Sequence, residues 1–263
     1  MSFFVYDTVL AGGLFFGMLL LLEAGRRYGV VMRTRDPEGW DRGSGTVDAA
    51  VFSLLGLLLA FTFSGAAARF EQRQHLITQE ANAIGTAYLR LDLLPTDTQP
   101  EMRQLFARYL DTRTSVYRNI EDAALTEARI AETAALQRQI WAEAVSAAQQ
   151  SDAATDAAKL LLPAINEMID ITTTRAAAMQ NHPPRVVFFL LAALCLLSAL
   201  LVGYRMSRAK SQSWFYAVLF SATLSVTFFV IADLEYPRYG LIRIDEADAL
   251  LAELRSLMQE AGE

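Results

Sequence analysis

Four carboxylates stand at the edges of long apolar runs in this 263-residue chain: Asp48, Glu71, Asp233 and Glu235. A charge at membrane depth costs about 2.5 to 3.5 kcal/mol on insertion scales, so one placed near that depth faces water or a partner. All four are therefore candidate ion-attracting or metal-binding groups. A ring of such carboxylates, one from each of several copies around an axis, would select cations over anions. A second reading stands beside this one for Asp48, because a carboxylate at a helix start offsets the positive end of the helix dipole. For Glu71 the second reading is a surface ion pair with a neighbouring arginine. Carboxylate oxygens suit hard divalent ions, which makes calcium a candidate permeant ion. No resident cofactor is expected.

Other chemistry is not written in the chain. There is no Gly-rich loop ending in Lys-Ser/Thr, no His-Glu-x-x-His and no pair of cysteines at metal spacing, so an enzyme is not expected. The two histidines, His75 and His182, lie far apart in sequence and read as exposed. Cys195 is the single cysteine and sits inside an apolar run, which excludes an intramolecular disulfide and suits a buried, unreactive thiol. Basic residues cluster only beside the apolar runs, which excludes a nucleic-acid partner.

The elements that must position these groups are helices. Hydrophobic residues make up 53% of the chain beside 20% charged ones, an excess that has to be localised. It lies in windows 3–22, 47–68, 186–204 and 214–232. Each window has roughly 18 to 22 residues, enough at about 1.5 Å per residue to cross a hydrocarbon core of about 30 Å. A signal peptide is a weaker reading of the first window, because its arginines follow the apolar run instead of preceding it. The expected fold is all-α: four transmembrane helices in a lipid bilayer, with a projecting extramembrane helical bundle. The corresponding division is 1–68 (spans one and two), 69–182 (bundle), 183–232 (spans three and four) and 233–263 (a turn and a short amphipathic helix).

Residues 23–46 carry Arg26, Arg27, Arg33, Arg35 and Arg42, and residues 205–213 carry Arg205, Arg208 and Lys210. By the positive-inside rule both segments are cytoplasmic loops, which puts the bundle and both termini on the extracytoplasmic side. Asp7, without any Lys or Arg before the first span, agrees.

After Ala68 nothing breaks the second span, and a single helix is expected from about Val47 to Leu93, ended by Pro95 and Pro100. Thr98 with Glu101 reads as a capping box for the next helix, whose apolar positions include Met102, Leu105, Phe106, Tyr109, Leu110, Val116, Tyr117 and Ile120. Further helices are expected over 123–148, after a start signal at Ser151 and Asp152, and over 245–258. Pro163 should bend the fourth of the bundle helices or fall in its first turns. Gly13-x-x-x-Gly17 reads as a small-residue packing motif in span one.

At about 100° per residue, Ala49, Ser53, Gly56, Ala60, Ser64, Ala67, Glu71, His75, Thr78 and Asn82 share an arc of roughly 100° on the long helix. Within the membrane every member is small; beyond it the stripe turns polar. Either the small residues admit a close neighbouring helix, or the same face of several subunits lines a hydrated path. In the second case Ala49, Ser53, Gly56, Ala60, Ser64, Ala67 and Glu71 line the pore, and His75, Thr78 and Asn82 line a widening vestibule.

The run Gly56-Leu57-Leu58-Leu59-Ala60-Phe61-Thr62-Phe63 is followed by Arg69-Phe70-Glu71-Gln72-Arg73, then Glu80-Ala81-Asn82-Ala83-Ile84-Gly85-Thr86-Ala87 and Leu91-Asp92-Leu93-Leu94-Pro95. Together with Asp233-Leu234-Glu235-Tyr236-Pro237-Arg238-Tyr239-Gly240, these blocks resemble the bacterial bestrophin-like domain family. The resemblance leaves out the segment from Thr98 to His182. It implies a four-span, largely helical integral membrane protein of a bacterial plasma membrane, in a family whose name borrows from bestrophins, which are pentameric ion channels. Their chloride-pathway aromatic motif has no match here, and the topology read above is opposite to theirs. The functional expectation is a homotetrameric or homopentameric cation channel whose pore follows the second span. The alternative is a non-conducting sensor or scaffold whose bundle binds a ligand or partner.

Overall fold

The computed structural model describes residues 3–36, 44–118, 123–150, 153–208 and 214–260. The expected positions Arg42, Lys210 and Ile120, and the start signal at Ser151 and Asp152, lie outside the described residues. Eight α-helices occur among the described residues: α1 Phe3–Arg35, α2 Ser44–Leu89, α3 Gln99–Arg118, α4 Ala123–Ala148, α5 Ala157–Gln180, α6 Arg185–Met206, α7 Trp214–Glu235 and α8 Asp245–Glu260. A turn of 3-10 helix, Arg90–Leu93, follows α2. No strand occurs among the described residues, and the fold is all-α. Stretches in α1, α2, α6 and α7 are long and apolar enough to cross a membrane.

The chain divides into two units: Met1–Phe70 with His182–Arg243, and Glu71–Asn181 with Ile244–Glu263. In the first, α1 packs on α6 and α7. Met18, Leu22, Leu191, Cys195, Ala199 and Ile231 fill its core. The close approach of α1 to α6 is not made by the Gly13 and Gly17 motif. A Cβ on Gly13 would meet nothing within 4 Å, and one on Gly17 would meet only the tip of Leu196 at 3.2 Å. Instead, Gly25 lies on the backbone of Leu200 and Tyr204, Gly29 on Tyr204 and Ser207, and Gly203 on the carbonyl of Leu22; a side chain at Gly25 or Gly203 would collide with backbone. Gly25 and Gly29 have the same small-x-x-x-small spacing, but they lie past the apolar window and so escaped the motif.

That placement follows from a second departure. Residues 23–35 are not a loop, because α1 runs on to Arg35. Glu23 accepts hydrogen bonds from Arg26 and Arg27 at 2.8 Å each. Such i,i+3 and i,i+4 pairs support a helix, and no glycine-proline break occurs before Pro37. The 33 residues of α1 extend roughly 50 Å at about 1.5 Å per residue.

In the second unit Ile84, Ala87, Phe106, Tyr109, Leu110, Ile140, Leu161 and Ile165 form one core. Helix α4 has the bounds its apolar spacing predicts, whereas α5 opens at Ala157, with Asp156 before it. Pro163 lies inside α5. Thr98 precedes α3, and its hydroxyl donates to the Pro95 carbonyl at 2.8 Å. Arg73, itself buried, donates to the carbonyls of Ala178 and Asn181 at 3.3 and 3.0 Å. It thereby satisfies acceptors that the last turn of α5 leaves without helical partners.

Candidate functional site

Helix α2 contributes side chains to the core of each unit. Val51, Leu55, Leu58, Ala66 and Phe70 pack into the first core. Ile84, Ala87 and Tyr88 pack into the second, with Arg73, Leu76, Ile77 and Glu80 buried along the same side. Taken at about 100° per residue, the small and polar stripe is centred roughly 145° away from that packing side. The structure agrees: Ala49, Ser53, Gly56, Ala60, Ser64, Glu71, His75, Thr78 and Asn82 are all exposed, and Ala67 is half-buried. A Cβ built on Gly56 would meet nothing within 4 Å. Beside the stripe, Leu54, Leu57 and Phe61 are also exposed, at 50%, 53% and 67%.

Glu71 forms no ion pair with a described residue, so the arginine pairing open to it in sequence is not made. The reason is geometry, because residues two apart on a helix do not face each other. Arg69 is committed to Glu235 and Arg73 to the end of α5. Among the described residues His75 meets its helical neighbour Gln79, with Nε2 3.0 Å from the amide nitrogen.

The other three carboxylates are in different surroundings. Asp48 is half-buried and accepts from Arg205 Nε of α6 at 2.6 Å. Asp233 is buried and accepts the backbone N–H groups of Leu241 and Ile242 at 3.0 and 2.8 Å. That bond folds the segment after α7 back on itself. Gly240 lies against the Asp233 carboxylate so closely that any side chain there would collide with it. Glu235 is buried beneath Arg69, whose Nε donates to Oε1 at 2.9 Å and to Oε2 at 3.2 Å, with Nη2 donating to Oε1 as well. His182 is not simply exposed. Its Nδ1 lies 3.4 Å from Glu235 Oε2, and its ring stacks on Tyr236 with centroids 4.8 Å apart. Asp48, Asp233 and Glu235 are thus held by internal partners, and sequence position alone does not distinguish them from Glu71.

Asp48 and Arg69, both on the packing side of α2, are separated by roughly 31 Å of helix at about 1.5 Å per residue. A hydrocarbon core is about 30 Å thick. The two ion pairs therefore bracket one membrane thickness and tie the span to α6 at one end and α7 at the other.

A charged cluster in the second unit was not singled out in the sequence. Glu80 is fully buried and accepts from Arg113 Nε at 2.6 Å and from Arg175, which also approaches Asp248 of α8 at 3.7 Å. Burial pushes the Glu80 carboxyl up, but the charges and hydrogen bonds of Arg113 and Arg175 outweigh it, and the group lies below its ordinary value. The available signal was a charged residue on each of three apolar faces: Glu80 between Ile77 and Ile84, Arg113 after Tyr109 and Leu110, and Arg175 after Ile165 and Met168.

Four spanning helices, one of them long and bare along a small-to-polar face, define a four-span helical membrane protein. A family model for the Bestrophin-like domain matches residues 29–249, and the chain belongs to that family. No curated protein matches it. Among solved structures, a variant of a bacterial bestrophin homologue from Klebsiella pneumoniae superposes with a TM-score of 0.67 at 14% identity, over 94% of this chain and 96% of that one. A second variant of that homologue gives 0.66 at 13%, covering 93% and 99%. A crystal structure described as a membrane protein gives 0.68 at 15%, covering 95% and 98%. At these identities the likeness is one of fold.

Proposed function

We propose that the protein is a homo-oligomeric ion channel of the bacterial plasma membrane, formed by four or five copies, with the exposed face of α2 lining a central pore. The observation that carries this reading is the bareness of that face. A stripe that packed against the other spans of its own chain would be covered, and this one is not. Small side chains from Ala49 to Ala67 leave room for water along the axis, and His75, Thr78 and Asn82 continue it as a polar vestibule. Leu54, Leu57 and Phe61 supply the apolar surface through which neighbouring copies and lipid meet the helix.

Selectivity falls to Glu71. Of the four candidate carboxylates, it alone is exposed and lacks an ion pair among the described residues; one copy per subunit makes a ring that favours cations. Calcium is a candidate permeant ion on the affinity of carboxylate oxygen for hard divalent cations. Arg33 and Arg35 at the end of α1, with Arg205 in the last turn of α6 and Arg208 just after it, support a cytoplasmic side at that end of the spans. The bundle and termini then lie on the other side.

Purified protein in planar bilayers is expected to pass cations, and Glu71→Gln to lower the cation-to-anion permeability ratio several-fold. Absence of conductance across voltage, calcium and pH, in a protein that runs as a monomer in detergent, contradicts the proposal and favours a sensor or scaffold.

A further inference from the structure

The outer face of α1, turned away from the core of its unit, is not used by the pore reading. We propose that Arg27, with the exposed apolar stripe that precedes it on α1, binds one anionic phospholipid of the leaflet at the Arg35 end of that helix. The phosphate sits on the guanidinium, and an acyl chain runs along Leu20 and Phe16. Such a site goes beyond the pore reading and does not depend on it.

At about 100° per residue, Phe16, Leu20, Arg27 and Val31 lie within an arc of roughly 60° on α1. That arc is centred roughly 170° from the side formed by Leu14, Met18, Leu22, Gly25 and Gly29, which enters the core and meets α6. Phe16 and Val31 are exposed, Leu20 is 73% exposed and the Arg27 side chain 77%. The depth of Arg27 follows from the close approach of α1 to α6, where Gly25 lies on Leu200 and Tyr204, and Gly29 on Tyr204 and Ser207. Arg27 is therefore level with Tyr204, the last residue of the apolar window 186–204. Aromatic residues mark the same level as a membrane interface: the rings of Tyr28 and Tyr204 have centroids 6.0 Å apart, and Trp214 and Tyr216 are exposed at the start of α7. Arg27 thus emerges from an apolar surface at the depth of lipid headgroups.

The charges at that depth do not balance. Arg26 donates to both oxygens of Glu23, while Arg27 donates to Oε1 through Nε alone, at 2.8 Å. One carboxylate holds two guanidinium groups, and neither terminal amino group of Arg27 bonds to a described residue. A guanidinium with those two groups open matches a phosphate by paired, charge-assisted hydrogen bonds. Between Thr8 and Asp36 the chain has four arginines and two carboxylates. A lipid that brings only a phosphate is therefore favoured over one that also brings a choline cation. The length of the stripe agrees with a lipid as occupant. From Arg27 to Phe16 is about 16 Å at about 1.5 Å per residue, and half of a hydrocarbon core of about 30 Å is about 15 Å. With its phosphate on Arg27, one acyl chain can follow the stripe to the middle of the bilayer.

The test is stabilisation of the full chain against heat in neutral detergent micelles doped with dioleoyl phosphatidylglycerol or dioleoyl phosphatidylcholine, read as the lipid fraction that gives half of the effect. Wild type should need about five-fold less of the anionic lipid, the scale set by one arginine at an anionic surface. Arg27→Gln should abolish that preference, and a preference unchanged in Arg27→Gln overturns the site. Should Arg27→Gln fail to fold, added salt should erase the preference of the wild type, and a preference indifferent to salt overturns the site equally. Glycerol 3-phosphate should not stabilise the chain; if it does so as well as the lipid, the site is one for free phosphate and the lipid is overturned. Leu20→Asn should weaken the effect of both lipids alike. A Leu20→Asn chain that loses its oligomeric state while its response to lipid is unchanged would show that a second copy covers the stripe, which overturns the lipid as occupant.

Discussion

The two sides of α2 carry charge and treat it in opposite ways. On the packing side Asp48, Arg69, Arg73 and Glu80 are each matched: by Arg205, by Glu235, by the carbonyls ending α5, and by Arg113 with Arg175. On the other side Glu71 has no ion pair and His75 has only Gln79, among the described residues. A matched charge fixes the helix, and an unmatched exposed one is available to a mobile ion. Presence of charge on a spanning helix is therefore a weak guide to ion conduction; its partner is the better one.

The largest effect expected from breaking this contrast lies at Glu80. Removing one member of a buried charge cluster costs about 3 to 5 kcal/mol, because it strands the others without compensation. Glu80→Ala should lower stability by that order, read as a shift in the denaturation midpoint of the purified protein. Next is the helix contact that carries no charge. Gly203→Val drives a side chain into the Leu22 carbonyl, and overpacking of this kind typically costs about 1 to 3 kcal/mol. The same change at Gly13 should be nearly silent.

The cluster at Glu80 also predicts a pH dependence. Its carboxyl is held below the ordinary value of 4.5. Its contribution to stability is therefore complete above that value and is lost as pH falls through the lower, folded value. Unfolding midpoints between about pH 6 and 3 should fall more steeply for wild type than for Glu80→Gln; parallel curves would show that the cluster does not bind the proton differently on unfolding.

Smaller still is Asp48→Asn. The pair with Arg205 is partly exposed, and such pairs contribute about 1 kcal/mol or less. Smallest is Glu71→Gln, for which a stability change within about 0.5 kcal/mol is expected, although its effect on selectivity should be the largest of the series. A large loss of stability at Glu71 would mean that its face is packed after all.

The four spans, the length of α2 and the azimuth of its stripe were legible because they depend on hydropathy and on a period that one segment contains. Helix α2 was expected to end near Leu93; it ends at Leu89 and tightens into a 3-10 turn before Pro95. What was not legible depends on partners distant in sequence. Nothing local to Asp233 says that Leu241 and Ile242 donate to it, and nothing local to Glu235 names Arg69. The reach of α1 to Arg35 and the Gly25 and Gly29 contact were present in the residues but lay outside an apolar window drawn too short.

The central claim is that the bare face of α2 faces water on a conduction path. Cysteines placed singly at Ser53, Gly56, Ala60 and Ser64, in a chain whose own Cys195 is buried, can be tested with a charged, membrane-impermeant thiol reagent during recording. The account predicts that modification at these positions blocks current and that modification at Leu55 and Ala66, on the packing side, does not. Block at Leu55 and Ala66 with none along the stripe would contradict it.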